Sequence, residues 1–231
     1  HRHPRIRAGI PSLPGRKPGE FLTHREADEA VQLIRQWKDE PFFINLGHYA
    51  VHTPIQAIDE VAAKYKQDGK SDVNAKYAAM VESIDDSTKQ ILETLRELHL
   101  DDRTMIIFTS DNGGLDNGGR PTENAPLRSG KGYAYEGGIR VCAFTTWPGR
   151  IPAGRITDEV CSTIDLLPTL AHACGIKLRI NEDARPKLDG VNVWNTLINE
   201  PSVVHARKSL LYWNGWATLE AIRVGDWKLY L

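Results

Sequence analysis

The sequence predicts an α/β fold in which helices flank a mainly parallel sheet. Two long segments, residues 23–38 and 71–99, carry apolar side chains at the three- and four-residue spacing of a helix. Three short apolar runs, residues 42–46, 105–109 and 141–145, lie outside these segments and show no polar alternation. Such runs are typical of strands buried on both faces, and strands that alternate with helices favour parallel pairing.

Local signals define where the predicted helices begin and end. Thr23 is the expected N-cap of the first helix, and Glu26 would complete a capping box with it. Pro41 lies beyond the end of this helix. A further helix is predicted over residues 165–173, with Gly175 as its C-cap residue.

The C-terminal part of the chain predicts a different kind of structure. Residues 210–213, 219–224 and 227–231 are short strand-like runs, and Gly225 and Asp226 form a predicted hairpin turn between the last two. This pattern indicates the start of a small antiparallel subdomain.

We expect three segments along the chain. Residues 1–18, which are basic and rich in Pro and Gly, form an irregular lead-in. Residues 19–180 form an α/β domain, and residues 181–231 form a connection and a small antiparallel subdomain.

Composition excludes several classes of protein. The 231 residues include 29 Lys and Arg against 30 Asp and Glu, so charge gives no reason to expect a nucleic-acid partner. No apolar run approaches the roughly 20 residues that span a bilayer. Cys142, Cys161 and Cys174 form no C-x-x-C pair, and each is expected to be a buried free thiol.

A polar pair follows the second predicted strand directly. Asp111 and Asn112 place two oxygen donors at the carboxyl end of that strand, where α/β sheets bind ligands. Gly113 and Gly114 allow a sharp turn there. Such donors suit Ca²⁺ or Mg²⁺, whereas the alternative interpretation is an Asx-type turn that closes the strand.

Two histidines, His48 and His52, follow the first predicted strand. Their spacing matches the zinc metalloprotease helix, but that motif needs Glu where Tyr49 stands, and Pro54 disfavours a helix. A histidine in such a loop binds an anion or acts as a general acid. A hydrogen-bonded structural histidine is the alternative for either residue.

A basic, glycine-rich segment contains Lys131 between Gly130 and Gly132. It is not a Walker A loop, because Ala125 replaces the first glycine and Gly132 replaces the Ser or Thr. A lysine between glycines reaches a bound oxyanion easily, and a flexible basic loop is the alternative. The sequence has no G-x-S-x-G nucleophile elbow.

These features occur in an order that resembles the formylglycine-dependent sulfatases of the alkaline phosphatase superfamily, and especially their arylsulfatase-like branch. The resemblance covers nearly the whole chain from about residue 19. The segments that carry it are residues 41–46, 52–54, 108–113, 130–132, 135–141, 147–149, 165–169, 188–190 and 221–229.

The resemblance implies a role for each candidate residue. Asp111 and Asn112 correspond to calcium ligands. Lys131 corresponds to the lysine that contacts the sulfate near the leaving-group oxygen, and His52 to the histidine at the sulfate ester. These two are therefore the expected catalytic and substrate-binding residues, and His48 is expected to line the substrate pocket.

The resemblance also implies parts that this chain does not contain. An Asp-Asp metal pair and the Cys or Ser that becomes formylglycine belong to an earlier segment of the family's chain, so we expect the sequence to be a fragment. Residues 19–180 would then be the C-terminal part of the family's α/β domain, and residues 181–231 would include only part of its antiparallel subdomain. The missing strands are expected to leave sheet edge and apolar surface exposed. Calcium takes about 6–8 oxygen ligands, and Asp111 and Asn112 supply only part of this shell. The isolated chain is therefore expected to bind calcium weakly and to be inactive.

The implied function is sulfuric ester hydrolysis within a longer enzyme, on aryl or carbohydrate sulfates. One alternative is a phosphate or phosphonate ester hydrolase of the same superfamily. Another is a non-catalytic remnant that binds sulfate or glycans. The resemblance also implies a periplasmic or secreted protein without nucleic-acid partners or a membrane span, and a homo-oligomer is compatible with it.

Overall fold

A computed structural model of the chain describes residues 19–66, 71–178, 188–198 and 207–231. The predicted lead-in over residues 1–18 and much of the predicted connection after residue 180 lie outside these residues. The chain divides into two compact units, which are described separately. The first comprises His1–Asp101 and Asp116–Glu123, and the second comprises Asp102–Leu115 and Asn124–Leu231.

The first unit is helical. Its helices are α1 (Leu22–Gln36), α2 (Asp59–Ala63) and α3 (Asp72–Glu97), and both shorter helices contact α3. Several alanines in the buried faces allow close packing of the helix backbones. The buried apolar side chains of this unit include Ala27, Ala30, Ile34, Ala62, Ala75, Ala79, Met80 and Leu95.

The two long helices begin in different ways. α3 has the capping box that its sequence allows, between Ser71 and Asn74. The capping box predicted for Thr23 and Glu26 is wrong, because the N-cap of α1 is Phe21, two residues before Thr23, and α1 has no side-chain cap. Both predicted capping residues lie on the buried face of α1 instead.

The predicted strand over residues 42–46 is not formed among the described residues. A strand exists through hydrogen bonds to a neighbouring strand, and no described residue supplies them to this segment. Exposure alternates along it, and Phe43 is 74% exposed. The segment is therefore not buried on both faces.

The second unit contains five strands and three helices within its described residues. The elements are β1 (Ile106–Thr109), α4 (Glu136–Ile139), β2 (Ala143–Thr146), α5 (Leu166–Ala173), α6 (Trp194–Ile198), β3 (Ser209–Trp213), β4 (Leu219–Val224) and β5 (Trp227–Tyr230). No helix in the described part of the chain is both long and apolar enough to cross a membrane.

β1 and β2 pair antiparallel, with Phe108 opposite Phe144 and their rings stacked 4.8 Å apart. The predicted mainly parallel sheet is not confirmed, since every strand pair among the described residues is antiparallel. A parallel return needs a crossover of a dozen or more residues, usually a long helix. The only helix between β1 and β2 is α4, which has four residues.

The predicted C-terminal hairpin is confirmed. β3, β4 and β5 form an antiparallel sheet in that order, and Val224 pairs with Trp227 across the turn. Gly225 takes the positive φ of 55° that this two-residue turn requires. One face of the sheet carries Tyr212, Lys228 and Tyr230, and the opposite face carries exposed apolar side chains. These exposed residues are Leu211, Trp213, Val224, Trp227 and Leu229.

A buried carboxylate organises the start of α5. Asp165 accepts hydrogen bonds from the backbone amides of Ser162 and Val191, both at 2.8 Å, and pairs with Arg207. It is 1% exposed. At the other end of the helix Gly175 has a φ of 68°, which confirms its predicted place just beyond the helix.

The three cysteines are exposed, so the prediction that each is buried is wrong. Cys142 lies directly before β2, where Ala143 and Phe144 are also exposed. Cys174 lies directly after α5, and Cys161 lies before the short 3-10 turn Thr163–Asp165 that precedes α5. A cysteine is buried only where the helix or strand that carries it directs that position toward the core.

Replacing Asp165 with Asn should destabilise the protein strongly. The substitution keeps the side-chain shape but leaves Arg207, whose side chain is 8% exposed, without its counter-charge. Removing one partner of a buried pair costs about 3–5 kcal/mol. Urea denaturation should show this loss, and Asp158→Asn, at an exposed position, should unfold like the parent. Equal midpoints for the two variants would contradict the assignment.

Candidate functional site

Asp111 and Asn112 lie directly after β1, at its carboxyl end. The amide nitrogen of Asn112 donates a hydrogen bond to the Asp111 carboxylate. The amide oxygen of Asn112 is buried and has no hydrogen-bond partner. A buried acceptor without a partner destabilises the fold by about 1–3 kcal/mol. A ligand that bound this oxygen would remove that penalty.

The donor set suits a hard cation. An unsatisfied amide oxygen beside an exposed carboxylate is the kind of ligand pair that Ca²⁺ takes. In the alternative interpretation, Asp111 would close an Asx turn, yet no backbone amide of the described residues donates to its carboxylate. The described residues include no group of three or more His, Cys, Asp or Glu that could hold a metal ion. Asp111 and Asn112 therefore fit part of a calcium shell.

The loop after β1, which contains Gly113 and Gly114, is joined by backbone hydrogen bonds to the loop that contains Lys131 and Gly138. The amide of Gly113 donates to the carbonyl of Gly138, and the amide of Lys131 donates to the carbonyl of Gly114, both at 2.9 Å. The side-chain amide of Asn124 donates to Gly114 as well, at 2.9 Å. Lys131 is thereby held beside the loop that carries Asp111 and Asn112.

This joining needs glycine for a reason that the sequence alone does not reveal. A Cβ atom on Gly113 would stand 1.8 Å from the carbonyl oxygen of Gly137. A Cβ atom on Gly138 would stand 2.2 Å from the carbonyl oxygen of Tyr133. The sequence indicated a sharp turn at Gly113, whereas the structure shows that the backbone of a second loop occupies the space of its side chain.

Lys131 is half-buried, and its ammonium forms no hydrogen bond or ion pair with the described residues. Both neighbours are glycines, so no adjacent side chain screens it. An ammonium without a protein partner is a group that can bind an anion such as sulfate or phosphate.

His48 is held on both sides of its ring. Its Nδ1 lies 2.7 Å from a carboxylate oxygen of Glu26, and its Nε2 lies 3.0 Å from the hydroxyl oxygen of Ser87. Glu26 and Ser87 project from the buried faces of α1 and α3. This geometry favours a structural role for His48. Its contact with substrate stays a prediction.

His52 has a different environment. It is exposed, and its Nδ1 lies 2.9 Å from the carbonyl oxygen of Thr53. The hydroxyl oxygen of Thr53 lies 3.4 Å from the same nitrogen. When the imidazole ring is protonated both of its nitrogens are donors, so Nδ1 can donate to the Thr53 carbonyl while Nε2 donates outward.

Sequence reasoning missed three residues that shape these surroundings. Glu26 is a carboxylate on the apolar face of α1, and that position signals a buried partner. Ser87 carries no such signal, because serine is common on buried helix faces. Asn124 bridges Gly114 and Ser129 from outside every recognised motif, so only the structure identifies it.

Comparison with known proteins gives a consistent match. Residues 3–176 match the family model described as Sulfatase. A protein named Sulfatase from Formosa agariphila is 36% identical over 212 residues, which are 84% of this chain and 37% of that protein. Human N-acetylgalactosamine-6-sulfatase is 32% identical over 221 residues, which are 93% of this chain and 39% of that protein. The chain thus spans less than half the length of these relatives.

Solved structures resemble the chain over most of its length. Ps i-CgsB, crystallised with k-i-k-neocarrahexaose, matches with a TM-score of 0.79 and 33% identity over 94% of this chain and 47% of that chain. PsFucS1 sulfatase from Pseudoalteromonas sp. matches with a TM-score of 0.75 and 25% identity, over 88% of this chain and 39% of that chain.

Replacing Gly113 with Ala should disrupt the joined loops, because the new methyl group meets a backbone carbonyl that cannot move aside. Overpacking of this kind costs up to about 3 kcal/mol, or more, and thermal unfolding should show it. Gly215→Ala is the matched control, since its Cβ would meet nothing within 4 Å. A Gly113→Ala variant as stable as this control would contradict the close approach.

Replacing Glu26 with Ala should lower the free energy of unfolding by about 1–3 kcal/mol, because it leaves the half-buried His48 ring without its partner. Glu26→Gln should lose less, since its amide oxygen still accepts from Nδ1. The exposed Glu40→Ala serves as the control in urea denaturation. If Ala at position 26 behaves like this control, the pairing is not significant in solution.

Proposed function

The chain belongs to the sulfatase family, and we propose that it supplies part of the active site of a sulfuric ester hydrolase. Its structure resembles solved sulfatases, whose fold is alkaline phosphatase-like. The observation that carries the proposal is the joining of the Asp111–Asn112 loop to the loop of Lys131. These backbone hydrogen bonds support the proposal, because they join the loop of the proposed calcium ligands to the loop of the proposed catalytic lysine.

Asp111 and Asn112 are the residues of this chain that would hold calcium. When bound, calcium supplies positive charge that neutralises sulfate oxygens and draws electron density from the reacting sulfur. The unsatisfied amide oxygen of Asn112 supports this assignment. Further ligands and the formylglycine nucleophile are assigned, by the family resemblance, to other parts of a longer protein.

Lys131 would stabilise negative charge during the reaction. When the sulfur–oxygen bond to the alcohol breaks, charge develops on the leaving oxygen and on the sulfate. The Lys131 ammonium makes no ion pair with described residues, so it does not need to release a partner before it meets this charge. Donors that are already oriented stabilise a transition state at little reorganisation cost.

His52 would donate the proton that the leaving alcohol needs. The carbonyl of Thr53 orients the ring through Nδ1, and the imidazolium then presents its second proton on Nε2. This role is proposed for His52 and not for His48, because both ring nitrogens of His48 already contact protein groups.

We propose a carbohydrate sulfate as the substrate class. The human relative is named for a sulfated amino sugar, and Ps i-CgsB was crystallised with an oligosaccharide. An aryl sulfate is the second option within the same reaction. An exported protein that meets extracellular polysaccharides would suit such a substrate.

Replacing Lys131 with Ala in the full-length protein should lower kcat at least about a hundredfold, as expected when an electrostatic donor to the transition state is lost. Hydrolysis of an aryl sulfate and of a sulfated oligosaccharide should both be measured. Lys177→Ala, at an exposed position, is the matched control. A change of less than about threefold would contradict the role of Lys131.

The same assay distinguishes the alternative functions. Turnover of the corresponding phosphate ester at a higher kcat/KM than the sulfate would favour a phosphate or phosphonate ester hydrolase. Stabilisation of the protein by sulfate without any turnover would favour a binding protein.

A further inference from the structure

The two residues next to Lys131 do little to restrict its backbone. Gly130 and Gly132 flank the lysine, and Gly132 has a positive φ of 97°. Glycine loses more conformational freedom on ordering than any other residue. A catalytic ammonium here therefore needs support from outside its own loop.

Lys228 of β5 provides a contact of this kind. Its ammonium donates to the backbone carbonyl of Ala134 at 2.5 Å and to the carboxylate of Glu136 at 2.9 Å. The Lys228 side chain is only 10% exposed. A nearly buried ammonium is stable only when such partners are fixed, so it ties residues three and five positions beyond Lys131 to the C-terminal sheet.

Aromatic rings surround this contact. The Lys228 ammonium lies 4.2 Å from the centre of the Tyr212 ring, which is a cation–π distance. Burial, and secondly the charge of Glu136, raise the pKa of the Tyr212 phenol, so this tyrosine stays neutral beside the lysine. The ring of Tyr135 packs against the ring of Tyr230 of the same sheet, with centroids 4.7 Å apart and planes inclined by 36°.

The glycine-rich loop is held from its other side as well. The guanidinium of Arg128 lies 3.9 Å from the centre of the Tyr135 ring. The backbone amide of Gly137 donates to the carbonyl of Arg128 at 2.9 Å. Tyr135 is therefore fixed between a cation of its own loop and an aromatic residue of β5.

We propose that Lys228 is a positioning residue for Lys131, through which the C-terminal sheet sets the geometry of the active site. The proposal rests on the proposed function of Lys131. Lys228 touches the loop and not the reacting atoms, so it acts through the placement of the Lys131 ammonium. Without the Lys228 ammonium, the carbonyl of Ala134 and the carboxylate of Glu136 lose their shared donor, and the loop relaxes.

The test compares Lys228→Met with Lys208→Met in the full-length protein. Methionine keeps an unbranched apolar stem but removes the ammonium, and Lys208 is an exposed lysine next to the same sheet. The Lys228 variant should lower kcat about ten- to hundredfold with KM changed far less, because small displacements of a catalytic group cost this much. The Lys208 variant should keep the parent kcat. A parent-like kcat for Lys228→Met would overturn the proposal.

The same substitution in a Lys131→Ala background separates positioning from general support. If Lys228 acts through Lys131, Lys228→Met should change the residual kcat of that background less than about twofold. If Lys228→Met lowers kcat in the Lys131→Ala background as much as it does in the parent, the proposal is overturned. If Lys131→Ala alone keeps the parent activity, the proposed function of Lys131 fails instead, and the two failures are distinguishable.

Glu136→Gln covers the case in which Lys228→Met does not fold. It keeps the shape of the side chain and removes only the charge that faces Lys228. The same fall in kcat, and the same loss of effect in the Lys131→Ala background, are expected. A parent-like kcat for Glu136→Gln would overturn the proposal.

Discussion

The close approach of two glycine-rich backbones is the constraint on which the candidate site depends. The carbonyl of Gly137 occupies the space that a side chain on Gly113 would need. Hydrogen bonds from Gly113 to Gly138 and from Lys131 to Gly114 can form only because of this approach. The loop that carries Asp111 and Asn112 and the loop that carries Lys131 thereby belong to one local structure.

The Lys131 loop and His48 are held by contacts that their own short motifs do not contain. The Lys131 loop is held by Asn124 and by Lys228 of the C-terminal sheet. In the helical unit, Glu26 and Ser87 fix His48 from two helices. Catalytic groups on loops need this support, because electrostatic stabilisation works only when the donor is placed before the charge develops.

Sequence reasoning identified the three longest helices, the C-terminal hairpin and the family, but not the short helices α2, α4 and α6. Helical periodicity and the turn at Gly225 are local signals, and the structure confirms them. The pairing direction of β1 and β2, the exposure of Cys142 and the absence of a strand at residues 42–46 depend on which partner each segment meets. Glu26 shows the same limit, since its buried position in α1 favoured a distant histidine over the predicted capping box.

The most direct test of this account is a crystal structure of the full-length protein with calcium and inorganic sulfate. The account predicts calcium bound to the oxygens of Asp111 and Asn112, and a sulfate oxygen about 3 Å from the Lys131 ammonium. A metal ion held by other residues, or a sulfate bound away from Lys131 while its ammonium pairs with a protein carboxylate, would contradict it.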